Sequence, residues 1–558
     1  MRTEPALSRP VRTPGRGTGA SIEAFLRRYE AQSLLRFVAV GSVDDGKSTL
    51  IGRLLHDTGS VYRDQVEAVR RASAPGGNGP LDFALFTDGL KAEREQGITI
   101  DVAHRYFFTD RRKFIVADTP GHVQYTRNMV TGASTADVAV ILIDARHGVV
   151  EQSRRHAAIA SLLRVPHLVV CINKMDLVGF DPDVFGAIQT AFAEFARGLS
   201  FLDVTYIPVS ATGGDNVLER STNTPWYDGP TLLAYLEEVP VLDHRNHRDL
   251  RFPVQTVVRP NLDYRGLAGT IASGVLRPGD EVLVLPSGLR TKVAALDTFD
   301  GPLAQARPPQ SVVVRLADDL DVGRGDMLVG PEHPPVAART FDAHLVWMGD
   351  APLDPTRAYL LKHTTQTVRA QVVEVHGKMD LFSLGCVATD GVQANDIVRV
   401  RVRIHPPIFC DPYAENRATG AFILIDPVHH HTVAAGMVER ALPASDRAPA
   451  SAGPGALVLV EGPGGAIEAA ARRLHEAGCF VTTLQPAPDE PPGAAHEVAR
   501  LAMDLGGVVV APARAFAGTS FDPARTFEVR AGAPGDPGLH AAVRSVVDRI
   551  RGSASETP

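Results

Sequence analysis

The sequence predicts a multidomain protein, with an α/β P-loop domain, two all-β barrel domains and a small C-terminal α/β domain in that order. Three observations predict this. Residues 41–48 read Gly-Ser-Val-Asp-Asp-Gly-Lys-Ser, a complete G-x-x-x-x-G-K-[ST] loop, with an apolar run before it (34–40) and a helical pattern after it (49–55). From Arg251 to about Arg440 the chain is written in short β-branched runs separated by Pro-Gly and Ser-Gly turns. Beyond a Pro-, Ala- and Gly-rich stretch near 441–456, apolar runs at 456–460 and 508–510 read as strands, with a helical pattern at 466–477 between them.

The phosphate loop comes first. Gly41 and Gly46 let the backbone turn its N–H groups toward phosphate oxygens, and the following helix adds a favourable dipole. Ser42, Val43, Asp44 and Asp45 complete the cradle, Lys47 reaches the β- and γ-phosphates, Ser48 offers its hydroxyl to Mg²⁺, and Thr49 continues the binding set.

Next along the chain, Asp118-Thr-Pro-Gly121-His122 follows a second apolar segment and so falls at the carboxyl end of a strand, where open α/β sheets bind ligands. Asp118 is the expected anchor for Mg²⁺ through water, the Gly121 N–H meets the γ-phosphate, and His122 orients the attacking water. Asn173-Lys174-Met-Asp176 ends the apolar run 168–172. A carboxylate at 176 accepts both guanine N1–H and N2–H₂, a donor pair that adenine does not offer, so this element selects GTP. Ser210-Ala211 fits the last base-side loop. In the segment 88–101, Thr99 would give its hydroxyl to Mg²⁺ and its N–H to the γ-phosphate. Ile98 and Val43 either flank the attacking water or are packing residues. The P-loop domain therefore reads as a GTPase domain with GTP and Mg²⁺ as cofactors. Its candidate catalytic residues are Lys47, Thr99 and His122, and its candidate metal ligands are Ser48, Thr99 and, through water, Asp118.

The strings GSVDDGKSTLIGRLL, DGLKAEREQGITIDVAHRYF, ADTPGHVQYTRNMVTGAS and INKMDLV resemble the translation-factor GTPase superfamily. Within it, Asp45, Gln96, the Q-Y-T-R-N-M segment at 124–129 and Ser-Arg-Arg-His at 153–156 are similar to the GTPase subunit (subunit 1) of bacterial sulfate adenylyltransferase. Val123 departs from that pattern, which commonly carries Glu beside the histidine, and this puts the turnover rate in question. The resemblance continues through 251–274 and 416–426 and covers roughly residues 34–440. It implies a G domain at 34–240 and barrels at 250–335 and 340–440; composition and pattern add a disordered tail at 1–33, a linker at 441–455 and a last α/β domain at 456–552. It also implies a GTPase coupled to formation of adenylylsulfate and pyrophosphate from ATP and sulfate. The sequence contains no S-G-G-x-D-S pyrophosphate loop and no H-x-G-H element, so adenylyl transfer is expected on a partner, the smaller ATP-binding subunit 2, in a heterodimer or higher assembly.

Some family members carry an adenylylsulfate kinase domain after the barrels, and residues 471–478 and 497–510 weakly resemble it. The kinase chemistry is missing from the sequence. At the place for a phosphate loop, residues 461–468 read Glu-Gly-Pro-Gly-Gly-Ala-Ile-Glu, and no lysine follows Lys378. Charge neutralisation and positioning for phosphoryl transfer are thereby lost, and Pro463 removes an N–H donor. The segment reads as a degenerate kinase-like domain or as an unrelated α/β appendage. Two other functional readings remain open: a translation-elongation-factor-like GTPase that binds aminoacyl-tRNA, and a bifunctional sulfate adenylyltransferase/adenylylsulfate kinase.

Composition bears on these alternatives. At 558 residues the length fits three to four domains, and 44% hydrophobic residues suffice for separate cores. A net charge of −7 provides no overall basic field for nucleic acid. The cysteines at 171, 386, 410 and 479 show no metal spacing and fit a reducing compartment. No apolar stretch is long enough for a membrane span and residues 1–20 lack an apolar signal core, so a cytoplasmic protein is expected. Arg399, Arg401 and Arg403 alternate with valines, which puts the arginines on one strand face, either a solvated barrel face or a docking surface for an acidic partner. Three adjacent histidines at 429–431 cannot all face one ion.

Overall fold

The computed structural model describes residues 32–73, 81–87, 102–122, 126–241, 246–261, 263–443, 456–462, 465–476, 479, 481–484, 496, 499–500, 503, 508–516, 521, 525–530 and 537–553. Thr99, Ile98, Gln96, Val123, the loop 75–80, most of the expected tail and linker, and Pro463 lie outside these residues. The chain forms two compact units, residues 1–243 with 380–385, and residues 244–379 with 386–558.

The first unit is built on a six-stranded sheet. Its strands are β1 (Leu34–Val40), β2 (Ala103–Phe108), β3 (Lys113–Asp118), β4 (Val138–Asp144), β5 (His167–Asn173) and β6 (Asp203–Pro208), in spatial order β2-β3-β1-β4-β5-β6. Only β2, at the edge, runs antiparallel to its neighbour. β4 and β5 are buried along their whole length, as central parallel strands covered on both faces must be. Edge strand β2 instead exposes His104, Tyr106 and Phe108 in alternation.

The helices of this unit are α1 (Lys47–Asp57), α2 (Arg63–Ser73), α3 (Thr126–Ala133), α4 (Glu151–Leu162), α5 (Pro182–Ala196) and α6 (Leu232–Glu238). Local chemistry sets their starts. Pro182 opens α5 while the Asp181 carboxylate accepts from Asp183 N at 2.8 Å, and the Thr231 hydroxyl accepts from Ala234 N at 3.2 Å at the start of α6.

The second unit contains two closed barrels. Strands β7 (Arg251–Asn261), β8 (Tyr264–Thr270), β9 (Glu281–Leu285), β10 (Leu289–Thr298), β12 (Ser311–Leu316) and β13 (Met327–Val329) pair in the cycle β10-β12-β8-β7-β13-β9 and back to β10, with the short β11 (Gly301–Pro302) extending β10. Strands β14 (Val336–Trp347), β15 (Ala358–His363), β16 (Gln366–Met379), β18 (Ile397–Cys410), β19 (Ala421–Ile425) and β20 (Thr432–Pro443) close the second cycle β15-β19-β20-β14-β18-β16, with β17 (Cys386–Val387) appended to β16. All pairings are antiparallel, and closure leaves no long free edge.

The two barrels share a buried polar joint. Arg251, 4% exposed, donates through Nε and Nη2 to both oxygens of Asp411 at 2.9 and 2.8 Å. The Thr419 hydroxyl donates to the same carboxylate at 2.5 Å, and Asn416 Nδ2 donates to Ser273 Oγ at 2.8 Å. Asn416 also caps the one-turn helix Arg417–Gly420 by accepting from Ala418 and Thr419 N–H.

On β18 the valines point into the core while the arginines face outward and pair within the barrel. Arg399 binds both oxygens of Glu439, at 2.6 and 2.9 Å, and Arg401 bridges Asp342 and Glu374. The charge of those two arginines is thus largely matched inside the fold. His429 and His431 lie with ring centres 5.7 Å apart, and among the described residues no cluster of three metal-ligating side chains occurs.

After the barrels, β21 (Ala456–Glu461), β22 (Val481–Thr483), β23 (Val508–Pro512) and β24 (Thr526–Arg530) form a parallel sheet in the order β22-β23-β21-β24. Helices α7 (Ala466–Glu476) and α8 (Pro537–Ser553) accompany it. Val458, Val460 and Val510 pack with Leu474 and Val543, while Leu457, Val509 and Ala511 pack with Ala499, Met503 and Phe516, so successive residues of each strand serve opposite faces. Among the described residues, no helix is long and apolar enough to cross a membrane.

Removing Arg251 leaves the Asp411 carboxylate buried without its cation. Arg251→Ala is expected to destabilise the barrels by about 3 kcal/mol, whereas the double change Arg251→Met with Asp411→Leu should recover most of that loss. Urea titration followed by hydrogen exchange at β7 and β18 amides measures both.

Candidate functional site

The loop between β1 and α1 alternates left-handed residues, with Asp44 at φ 66° and Gly46 at φ 87°, and this alternation curls successive N–H groups around a concave nest. At Gly46 a side chain is excluded as well as strained, because a Cβ there would lie 2.5 Å from Asn173 Nδ2. Lys47 is buried and its ammonium donates to the carbonyls of Gly41 (2.9 Å) and Ser42 (2.8 Å), folding back over the loop that it caps. Burial pulls the Lys47 pKa below its ordinary value, against the opposing pull of Asp118, Asp45 and Asp44.

Asp118 ends β3 and is buried, and the neighbouring Thr119 hydroxyl donates to Ala39 O at 2.8 Å, which ties this loop to β1. Gly121 approaches the phosphate loop so closely that a Cβ would collide with Lys47 Nζ and with the Gly41 carbonyl. His122 is exposed, Ser48 and Thr49 are half-buried in the first turn of α1, and Val43 is exposed at the loop tip.

Asn173, at the end of β5 and fully buried, joins the two halves of the site. Its Nδ2 donates to Asp45 O at 2.7 Å and its Oδ1 accepts from Ala211 N at 3.0 Å. The phosphate loop, the Asn173–Asp176 loop and the Ser210–Ala211 loop are therefore held in one register by a single amide. Ser210 is buried, accepts from Gly213 N–H through its hydroxyl at 3.1 Å, and leaves the Ala211 backbone facing the same loop. Asp176 is exposed in a short 3₁₀ turn, Met175–Val178. The Asp45 carboxylate is buried and accepts from Ser42 N at 2.5 Å; burial raises its pKa above the ordinary value, against that hydrogen bond.

Every expected site residue except Thr99, which lies outside the described residues, thus falls on the phosphate loop and first turn of α1, the β3 loop, the β5 loop or the loop after β6. Two residues were not anticipated, Asp144 and its partner Arg146. Asp144, the last residue of β4, pairs in register with Asn173, and its buried carboxylate receives Lys174 Nζ at 3.0 Å and Arg146 through Nε and Nη2 at 3.0 and 2.7 Å. The signal available in the sequence was an aspartate closing the apolar run 138–143 at the carboxyl end of a strand.

Residues 32–244 match the family model for the elongation factor Tu GTP binding domain, and residues 340–439 match the GTP-eEF1A C-terminal domain-like model. The chain is 50% identical to sulfate adenylyltransferase subunit 1 of Bacteroides fragilis, over 75% of this chain and 88% of that protein. Its counterpart in Cellvibrio japonicus is likewise 50% identical, over 77% of this chain and 91% of that protein.

The chain belongs to the sulfate adenylyltransferase subunit 1 family.

A protein named bifunctional enzyme CysN/CysC from Mycobacterium tuberculosis is 54% identical over 423 residues, 75% of this chain and 69% of that protein. In this family member the nest and the buried Lys47 are tied to the loops after β5 and β6 by the Asn173 amide.

Asn173→Ala would leave two buried backbone groups unpaired in different loops, and is expected to weaken GDP and GTP binding about 100-fold, measured by displacement of a fluorescent GDP analogue. A pH effect follows from His156, fully buried on α4, whose pKa burial depresses to about 3. The unfolded chain takes up a proton near pH 6.5 and the folded one does not, so stability present above that pH is lost as the pH falls toward 3. Between pH 6.5 and 5, before most carboxylates titrate, His156→Gln should flatten the stability slope by up to about 1.4 kcal/mol per pH unit, read from urea midpoints across that range.

Proposed function

We propose that this chain is the GTPase subunit of sulfate adenylyltransferase, coupling GTP hydrolysis to formation of adenylylsulfate and pyrophosphate from ATP and sulfate. The observation that carries the reading is 50% identity over 88% of the length of a protein named sulfate adenylyltransferase subunit 1. The product is a mixed anhydride of two strong acids, so its synthesis from ATP runs uphill and a second nucleotide gives it a driving force. No ATP-pyrophosphate loop occurs in this sequence, so adenylyl transfer is assigned to a smaller ATP-binding partner, subunit 2, in a heterodimer or higher assembly in the cytoplasm.

In this reading the N–H groups of the 41–48 loop bind the phosphate chain, and Lys47 turns from its carbonyl partners to the β- and γ-phosphates. Ser48 and Thr99, with Asp118 through water, would hold Mg²⁺, which offsets the charge that builds between those phosphates. The buried Asp118 carboxylate acting on Lys47 supports this donor set. His122 positions the attacking water and the Gly121 N–H reads the γ-phosphate, a role supported by the close approach of Gly121 to Lys47 and to the phosphate loop. Asp176 accepts the guanine N1–H and N2–H₂. GTP orders the segment around Thr99, that state favours the partner's productive conformation, and hydrolysis resets it. A near-complete switch of this kind needs a differential affinity of about 5.5 kcal/mol between the two states.

For residues 456–552 we infer a degenerate adenylylsulfate-kinase-like α/β domain kept for assembly or regulation. Four parallel strands support it, as does the β21–α7 connection at the sheet's carboxyl end, the position of a phosphate loop. That connection contains neither Lys nor Ser/Thr. The full chain should therefore form no 3′-phosphorylated adenylylsulfate from ATP and adenylylsulfate.

The deciding experiment follows GTP hydrolysis by the purified chain together with subunit 2, with ATP and sulfate present or omitted. Adenylylsulfate and pyrophosphate should appear only with the partner, and GTP turnover should rise when they do. GTP turnover indifferent to partner, ATP and sulfate would overturn the reading and make aminoacyl-tRNA binding the next test. His122→Ala should slow turnover at least about tenfold while leaving GTP affinity nearly intact.

A further inference from the structure

Asp144 lies outside every motif that selects the nucleotide, yet its carboxylate is one of the most enclosed charges in the first unit. It is 2% exposed and ends β4 directly beside Asn173. Burial alone would raise its pKa, but hydrogen bonds from Arg146 and then Lys174 outweigh this and hold it well below the usual carboxylate range, so the group is charged. Both cations come from the base side of the site. Lys174 precedes the base-selecting Asp176 by two residues and adopts a left-handed backbone, φ 62°, that a non-glycine residue keeps only where its surroundings fix it. Arg146 wraps back onto Asp144 through both its N–H of the main chain and its guanidinium, and its charge also acts on Asp176 and on Asp44 of the phosphate loop. One buried carboxylate therefore fixes the residue that shapes the Asp176 turn and a cation that lies in the field of Asp176 itself.

We propose that Asp144 is a positioning residue for guanine recognition: through Lys174 and Arg146 it holds the Asp176 loop in the conformation that accepts the guanine N1–H and N2–H₂ pair. The inference rests on the GTPase reading. It also explains why an Asp-Ala-Arg sequence closes β4, where a strand covered on both faces would otherwise end in an apolar residue.

The test uses the full chain and compares the affinities of GDP and IDP, the latter lacking the exocyclic amine that Asp176 accepts. Asp144→Asn keeps the shape and removes the charge. It is expected to weaken GDP binding about 10-fold to 100-fold, less than a fully buried pair would give because Lys174 and Arg146 reach solvent. The preference for GDP over IDP should fall toward unity. A general loss of folding at the site would weaken both nucleotides by one factor and leave that preference intact, which overturns the proposal, as does unchanged GDP affinity in a folded variant. Should Asp144→Asn fail to fold, Arg146→Gln, at an exposed side chain, tests the same point: a smaller GDP/IDP preference with the melting temperature held supports the proposal, and an unchanged preference overturns it. Absence of GDP binding by the unmodified chain would instead count against the GTPase reading.

Discussion

The first unit depends on one amide. Asn173 is buried where β5 ends, and its two polar atoms serve two loops, one 128 residues before it and one 38 after it, donating to Asp45 O and accepting from Ala211 N. A side-chain amide is the group suited to this task, since it offers a donor and an acceptor a fixed distance apart without introducing charge into a desolvated site. Because unmade hydrogen bonds at buried backbone groups are costly, the separation of the phosphate loop from the base-side loops is set by the amide's own geometry. The sheet beneath gives the amide a rigid base, since β4 and β5 are apolar on both faces and hold Asp144 and Asn173 side by side.

Two electrostatic environments meet at this bridge. On the phosphate side stands a cation that the fold has desolvated, Lys47, satisfied by the Gly41 and Ser42 carbonyls until a better acceptor arrives. On the base side stands an anion that the fold has desolvated, Asp144, satisfied by Lys174 and Arg146. The carbonyl contacts of Lys47 are neutral and exchangeable, so a phosphate can replace them. The contacts of Asp144 are charge-assisted and multiple, so they persist. The same physics that makes one side receptive keeps the other fixed.

The phosphate loop, the Asp118–His122 loop, the Asn173–Asp176 loop and the strand–helix alternation around them were legible because each is a contiguous string whose chemistry its residue types dictate. The period of β18 was equally plain, with valines inward and arginines outward. What was illegible is long-range pairing. Arg399 finds Glu439 forty residues away, Arg251 finds Asp411 across 160 residues, and nothing in either neighbourhood announces the partner. The arginine stripe left a docking face and a solvated face both open, and the partners of Arg399 and Arg401 became visible only when β14, β16 and β20 were placed beside β18. Asp144 was missed for a related reason: its role comes from the register of β4 against β5, and a lone aspartate at the end of an apolar run carries no register.

The division between a fixed base side and a receptive phosphate side bears on how such a pocket can cycle. If hydrolysis altered every contact of the nucleotide, diphosphate would leave as fast as it formed, and each turnover would have to begin with rebinding. In the proposed GTPase the groups placed to notice the γ-phosphate are Lys47, the Gly121 N–H and the segment around Thr99. The base-side loops are fastened to one another and to the sheet by Asn173 and Asp144. In the proposed cycle, loss of one phosphate would change the balance near Gly121, His122 and Thr99 while the base-side contacts stay in place. A nucleotide can shift a two-state equilibrium only by the difference in its affinity for the two states. A site in which that difference is concentrated at one phosphate converts hydrolysis into a conformational signal with little change in occupancy.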